Sequence, residues 1–390
     1  MTRWLFVKRR FDWPRARGHD LHTYGMMKAL AEAGHPVSVL TLEPSDPRAL
    51  AGIGYARQYL LADLPADGPT PPLTRLQRKF QSFWDVSPAA VLRVAAAAQD
   101  SAADVVVACG MGELPLLAGV AGRKRVWYAA DEWVWHHASQ VRALQPTTWR
   151  HLKDAGYNFL CQRAYRPWLD RVWVVTPADA KAFRWIDGYR RLDVIPNGVD
   201  ADHFAPGPEA VEPATCAFWG RLDYGPNLQG LAWFCDRVWP LVRQRVPAAR
   251  LRVFGFNPQA EARRLAVLPG VELTADLPDL RPALRSCSAA VLPFVSGGGI
   301  KNKVLEAAAL GLPVVATDRA VLGLTGDPPF ARPKSPAGWA DVLAGWWADE
   351  PQRTAAGRAG REWVVTTHTW AAAARTAAAG VAGTFSGDRA

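Results

Sequence analysis

Ser296-Gly297-Gly298-Gly299-Ile300-Lys301-Asn302-Lys303-Val304-Leu305-Glu306 stands between two apolar runs, Ala289–Pro293 and Pro313–Thr317. Each run has the length of a buried strand. Between them, Lys303–Leu310 reads as a helix with Gly311 as its C-cap. Strand, glycine loop, helix and strand make a unit of a parallel sheet. Three glycines let backbone approach a ligand with no Cβ in the way. The helix behind them offers N–H groups and a partial positive end to an anion, and Lys301 and Lys303 add two full charges. Such a loop suits a diphosphate. The plain alternative is a flexible loop with two solvated lysines, but placement between a strand and a helix favours the ligand loop. Glu306, in the first turns of the helix, is placed to accept ribose hydroxyls. A surface carboxylate favoured by the helix N-terminus is its alternative.

Working outward, Thr215–Trp219 is a strand that opens into Gly220-Arg221, followed by a helix over Asn227–Arg245 and strands at Arg250–Phe254 and Val271–Thr274. An Arg at the carboxyl end of such a strand points into the ligand crevice and can clamp phosphate oxygens. Asp223 offers it an ordinary ion pair instead. The first half repeats the pattern. Leu5-Phe6-Val7 is a strand, Leu21–Ala33 a helix stopped by Gly34, and Val37–Thr41 the next strand. Ala89–Ala103 is helical, and Asp104–Ala108, Arg125–Ala129 and Arg171–Val175 are strands. Gly18 and His19 hold the position that matches Gly220-Arg221 and could touch a phosphate or a sugar hydroxyl, although a lone loop His is more often structural. Asp131 and Glu132 end a strand, where either could orient an acceptor or stabilise a cationic sugar; capping the next helix is the alternative. Strands alternating with helices twice over imply an α/β chain with two doubly wound parallel sheets. The break falls near residues 197–214, where Pro206, Gly207, Pro208 and Pro213 cluster. Gln352 to about Gly383 is Ala- and Arg-rich and helical.

Composition agrees. A chain of 390 residues exceeds what one core usually serves, and an apolar fraction of 49% can fill two. No stretch approaches the roughly 20 apolar residues of a membrane span. Met1–Lys8 is too short in its apolar part for a signal peptide and reads as a first strand. Five cysteines, Cys109, Cys161, Cys216, Cys235 and Cys287, form no Cys-x-x-Cys pair, so buried reduced thiols of a cytosolic protein are expected. The net charge of +10 points to phosphate-bearing ligands or an anionic membrane. No nucleic-acid-binding motif accompanies it, and no nucleic-acid partner is expected. The basic group Lys8, Arg9, Arg10, Arg15 and Arg17, with Arg75, Arg78 and Lys79, suggests loose attachment to the inner face of the cytoplasmic membrane. The adjacent His136-His137 point different ways on a helix, so a shared metal is not expected there; with Arg and Lys to neutralise a leaving phosphate, and no Asp-x-Asp motif read as a metal holder, no metal is expected.

These motifs, in this order, resemble glycosyltransferase family 4, retaining enzymes of the two-Rossmann GT-B fold. Ile195-Pro-Asn-Gly-Val-Asp200 is similar to its hinge, Phe218–Asn227 to its donor-phosphate loop, and Gly299–Ala316 to its signature helix and strand. The match is good over most of residues 195–320 and looser over 1–135, with the nearest likeness to bacterial exopolysaccharide transferases. The resemblance implies an acceptor-side domain (1–196), a nucleotide-sugar-binding domain (197–365) facing it across a cleft, and a C-terminal helix and tail (366–390) packing back on the first. It also implies metal-free transfer of a sugar from a nucleoside-diphosphate sugar to a glycan or lipid-linked acceptor. In catalysis it implicates Arg221, Lys301 and Lys303 on the leaving diphosphate and Asp131 facing the sugar. In donor binding it implicates Gly18, His19, Gly220, Asn227, Gly297, Gly298, Gly299 and Ile300, with Glu306 on the ribose. Two positions depart from the pattern. The first Glu of the family's Glu-x7-Glu pair falls at Gly298, and the usual Lys after the Arg is replaced around Asn227, so Lys301 or Lys303 is expected to supply that charge. A non-catalytic nucleotide-sugar-binding protein and a nucleotide-sugar epimerase on the same fold are the competing expectations.

Overall fold

The computed structural model describes residues 1–13, 18–130, 133–138, 148–297 and 299–383. The chain divides into two compact units. Unit 1 holds Met1–Pro196 and the chain from Trp370, and unit 2 holds Asn197–Thr369.

Unit 1 is built on a seven-stranded sheet: β1 (Trp4–Lys8), β2 (Val37–Thr41), β3 (Arg57–Leu60), β4 (Val105–Cys109), β5 (Lys124–Ala130), β6 (Arg171–Val174) and β7 (Leu192–Val194). Their order is β3-β2-β1-β4-β5-β6-β7, and every pairing is parallel. The central strands are apolar at every position because both faces are covered. Trp4 and Phe6 of β1 join the core with Val37, Val39, Val105 and Val107, under the helices Gly18–Glu32 and Trp370–Ala382. Leu5 and Val7 join the opposite core with Val106 and Ala108. That face is covered by the helices Arg75–Phe83, Pro88–Asp100 and Thr148–Tyr165. Gly25 lets the last helix dock, because a Cβ there would run into the Trp370 indole.

Unit 2 carries five strands: β8 (Thr215–Arg221), β9 (Arg250–Phe256), β10 (Val271–Ala275), β11 (Ala289–Leu292) and β12 (Val314–Ala316). The order is β10-β9-β8-β11-β12, again all parallel. The helix Glu350–Thr367 lies close on this unit, with Gly357 against the Gly311 carbonyl and Gly360 over Ala308. The chain enters and leaves unit 2 along paired segments. Val199 bridges Thr369, and buried His368 donates from Nδ1 to the Asn197 carbonyl at 2.9 Å while its Nε2 accepts from Thr325 N–H at 3.0 Å.

The α/β class and two parallel sheets are those read from the sequence. Four details differ. The first helix begins at Gly18, not Leu21. The helix expected over Asn227–Arg245 is two, Gly225–Trp233 and Trp239–Arg245, joined through a π-type turn at Phe234–Val238. Pro240 is the cause, since it lacks an N–H and its ring crowds the carbonyl four residues back. The C-terminal segment is two helices broken at His368-Thr369. Strand β3 is additional, an edge whose first residues Arg57 and Gln58 are exposed. Among the described residues, no helix is long and apolar enough to cross a membrane.

Candidate active site

In each sheet the chain turns one way after one central strand and the other way after its neighbour. Ligands of open parallel sheets bind beyond the carboxyl ends of such a pair. The pairs are β8 and β11 in unit 2, and β1 and β4 in unit 1.

In unit 2, Gly220 near the end of β8 has φ +136°, a conformation that L side chains rarely adopt. A Cβ on it would stand 2.7 Å from Lys303 Nζ and 3.0 Å from Asn227 Nδ2. The glycine therefore makes the space that both side chains use. Buried Asn227 donates from Nδ2 to the Arg221 carbonyl at 2.7 Å, fixing the turn after β8. Lys301 is the N-cap of the helix Asn302–Ala309, and no side chain caps that end. Its ammonium donates to the Gly299 carbonyl at 3.1 Å and sits 5.9 Å from the Phe294 ring centroid. Gly297 (φ +89°) and Gly299 (φ +65°) both need glycine backbone, and a Cβ at Gly297 would meet Pro226 at 3.2 Å. Ile300 is half-buried against the unit 2 core.

The charges in this cluster are not equivalent. Arg221 is held in a two-pronged pair by Asp223, at 3.0 and 2.7 Å. The hydrogen bonds from Arg221 hold the Asp223 carboxyl below the usual carboxylate range. Lys303 has no hydrogen-bond acceptor or ion-pair partner among the described residues. Burial lowers its ammonium below the ordinary lysine value, and the charge of Glu306 pulls it partly back. Glu306 accepts the Trp219 indole N–H at 2.8 Å on Oε2. One carboxylate oxygen is thus anchored to β8 while the other is left for a second donor.

In unit 1 the corresponding edge is more buried. Lys8 at the end of β1 pairs with Asp20 at 3.0 Å and donates to His19 Nδ1 at 2.7 Å. The proton of His19 then belongs on Nε2, a buried atom with no partner. Desolvation, followed by the charges of Lys8 and His22, lowers His19 well below the usual histidine value, so it is neutral. His19 and His22 each stack on Tyr128, with centroids 4.8 and 4.4 Å away. Glu113, after β4, accepts the Arg9 N–H at 2.9 Å, and burial raises its carboxyl above the usual range. Gly110 (φ +121°) leaves room for it, since a Cβ there would lie 2.6 Å from Glu113 Oε2.

Of the residues singled out in the sequence, Gly220, Arg221, Asn227, Gly297, Gly299, Ile300, Lys301, Lys303 and Glu306 belong to the unit 2 edge. Gly18 opens the first helix of unit 1, and His19 follows it in the buried cluster. Asp131 and Gly298 lie outside the described residues. Sequence reasoning missed Trp219 and Glu113, and the ion pair with Asp223 that it held as the alternative for Arg221 is the one formed. The signal for Glu113 was present: Gly110-Met-Gly-Glu113 is a glycine loop directly after a buried strand. Among the described residues, no group of His, Cys, Asp and Glu could hold a metal ion.

Comparison with known proteins supplies the family. Residues 16–203 match the family model described as Glycosyltransferase Family 4, and residues 213–349 match Glycosyl transferases group 1. No curated protein matches the chain significantly. Among solved structures, sucrose-phosphate synthase from Thermosynechococcus elongatus is similar at 17% identity, with 99% of each chain covered and a TM-score of 0.68. HepE from Anabaena, solved with UDP and glucose, is similar at 14% identity, covering 98% of this chain and 100% of that one, with a TM-score of 0.66. TarM from S. aureus, solved as a mutant with Fondaparinux, α-GlcNAc-glycerol and UDP, is similar at 10% identity, covering 97% and 99%, with a TM-score of 0.69. With a family 4 match through unit 1, a group 1 match through unit 2 and two parallel sheets of the GT-B type, the chain belongs to the family 4 glycosyltransferases.

Proposed function

We propose that this glycosyltransferase moves a sugar from a nucleoside-diphosphate sugar to a glycan or lipid-linked hydroxyl, with retention and without a metal ion. The observation that carries the reading is Lys303. A half-buried ammonium with no ion-pair partner among the described residues, beside an uncapped helix N-terminus and the space left by Gly220, is suited to a diphosphate. Glu306, anchored by Trp219, is suited to the ribose hydroxyls.

The chemistry follows from charge. The bond between the anomeric carbon and the phosphate oxygen breaks, and the electron pair leaves with the diphosphate. Lys303, Lys301 and the helix end stabilise that growing negative charge. Arg221 joins them when it exchanges Asp223 for phosphate oxygens. The acceptor hydroxyl attacks from the face the diphosphate leaves, and its proton passes to a phosphate oxygen. In unit 1 the Nε2–H of His19 is a neutral donor suited to a sugar hydroxyl or phosphate oxygen.

HepE and TarM have been solved with UDP, which makes UDP-sugars the first donors to try. The test is NMR of the product formed with excess EDTA. An α-linked product from an α-linked donor, at an undiminished rate, is expected. A β-linked product, an absolute requirement for added Mg2+ or Mn2+, or an epimerised donor without transfer would each contradict the proposal.

A further inference from the structure

The basic group at the start of the chain is not a free cationic surface. Lys8 is buried on Asp20, Arg9 pairs with Glu43, and Arg10 pairs with Asp12 and Glu43. Arg15 and Arg17 lie outside the described residues. A different face of unit 1 combines unpaired cations with exposed apolar side chains.

In the helix Thr148–Tyr165, the exposed positions 149, 152, 153, 156, 160 and 163 have the spacing of one helical stripe, and exposed Arg150 lies to its side. The stripe is Trp149, Leu152, Lys153, Gly156, Leu160 and Arg163, with Trp149 81% exposed. The opposite side of the helix, with Ala155, Cys161 and Tyr165, faces the core. Helix Arg75–Phe83 packs beside it through Phe80 and Phe83 against Tyr157, and through Gln77 Nε2 to the Ala164 carbonyl at 2.8 Å. It exposes Leu76, Lys79 and Phe83 at helical spacing, with Arg75 and Arg78 beside them. Among the described residues, Arg75, Arg78, Lys79, Arg150, Lys153 and Arg163 form no ion pair. The nearby acids are exposed Asp85 and half-buried Asp154. One turn beyond Arg163, Arg166 begins a cavity of about 760 Å³ that it lines with Arg184, Gly188, Tyr189 and Arg190. Arg166 is fixed there by donating to the Asp187 carbonyl at 2.8 Å.

We propose that this face docks on an anionic lipid bilayer, with Trp149, Leu160 and Phe83 entering the interface, the surrounding lysines and arginines on lipid phosphates, and the Arg166–Arg184–Arg190 cavity taking one headgroup phosphate. It deepens the reading of a lipid-linked acceptor and rests on it for its purpose. Large apolar tips ringed by long cationic side chains match a membrane interface, where the stems lie along acyl chains and the charges reach headgroups. Charge selects this occupant over a second copy of the chain, because a two-fold contact through one face would set these unpaired cations against each other.

The test is co-sedimentation of the whole chain, without donor, with vesicles of phosphatidylcholine alone or with added phosphatidylglycerol, at low salt. Binding to the anionic vesicles only is expected. Trp149→Ser with Leu160→Ser, and separately Arg78→Glu with Lys79→Glu, are expected to weaken it tenfold or more. Arg184→Gln with Arg190→Gln weakens it less, while Val267→Ser and Arg358→Glu in unit 2 leave it within twofold. Equal binding by all variants, or equal binding to neutral vesicles, overturns the proposal. So does a dimer that Trp149→Ser dissociates, or saturable binding of inorganic phosphate at Arg184 and Arg190 without vesicle binding. Turnover of a soluble donor reads the transfer reading separately: its absence alongside vesicle binding counts against transfer and leaves the docking face standing.

Discussion

Lys303 and Gly220 share one space: a Cβ on Gly220 would stand 2.7 Å from the Lys303 ammonium and closer still to its Cε. A flexible side-chain end can move aside, so Gly220→Ala should fold, at a cost of about 1–3 kcal/mol for its backbone conformation. The lysine would leave the helix end. The expected result is a fall in kcat/KM of on the order of a hundredfold with a small fall in Tm, read by donor kinetics beside thermal unfolding. Full activity in a folded Gly220→Ala variant would show that the lysine's position does not matter.

Lys303 and Lys301 should differ in weight. Lys301 already spends a hydrogen bond on the Gly299 carbonyl, whereas Lys303 has no partner among the described residues. Lys303→Ala is expected to lower kcat/KM by about two to three orders of magnitude and Lys301→Ala by about one. Near-normal turnover in both would remove the lysines from the mechanism. Burial lowers the Lys303 ammonium, so in the free enzyme it loses its proton, and activity, earlier on the alkaline side than an ordinary lysine would. Lys303→Arg should move that limb to higher pH, and kcat/KM against pH measures it.

Glu306 should act on binding more than on the chemical step. With Oε2 on the Trp219 indole, Glu306→Ala is expected to raise the donor KM roughly tenfold or more while changing kcat less. Trp219→Phe leaves the carboxylate in place but unanchored and should give a smaller effect in the same direction. A loss confined to kcat would place Glu306 at the sugar.

Much of this was legible in the sequence, for physical reasons. The two sheets show because parallel strands buried on both faces leave continuous apolar runs such as Val105–Cys109 and Ala289–Leu292. The glycine loops show because backbone approach and positive φ leave little choice of residue at Gly220, Gly297 and Gly299. What did not show was the use of each charge. Lys8 looked like one of a solvated basic group, yet it is buried between Asp20 and His19 by a strand–helix packing no local pattern reveals. Arg221 looked like the phosphate clamp, but whether it would rest on Asp223 depends on side-chain directions after a turn. β3 escaped because an exposed edge needs no apolar alternation.

Acid should destabilise unit 1 through His22. Its Nε2–H donates to the Ile195 carbonyl at 3.2 Å, its Nδ1 is buried without a partner, and burial pushes its pKa down to about 4. The unfolded chain, with a histidine near 6.5, then binds more protons than the folded one between about pH 6.5 and 4. Stability is full above that window and falls as pH drops through it, by on the order of 3 kcal/mol for this one group. Denaturant unfolding from pH 7 to 4 should show the fall, and His22→Phe should flatten part of it. An unchanged slope in that variant would assign the acid loss elsewhere.

The most direct measurement is release of nucleoside diphosphate from a panel of UDP-, GDP-, ADP- and TDP-sugars by the wild type and Lys303→Ala, in EDTA and with an acceptor glycan present. Turnover of at least one donor by the wild type, reduced about a hundredfold or more by the substitution, is the expected result. No release from any donor, or release that survives loss of Lys303, would contradict a donor site built on Gly220, Lys303 and Glu306.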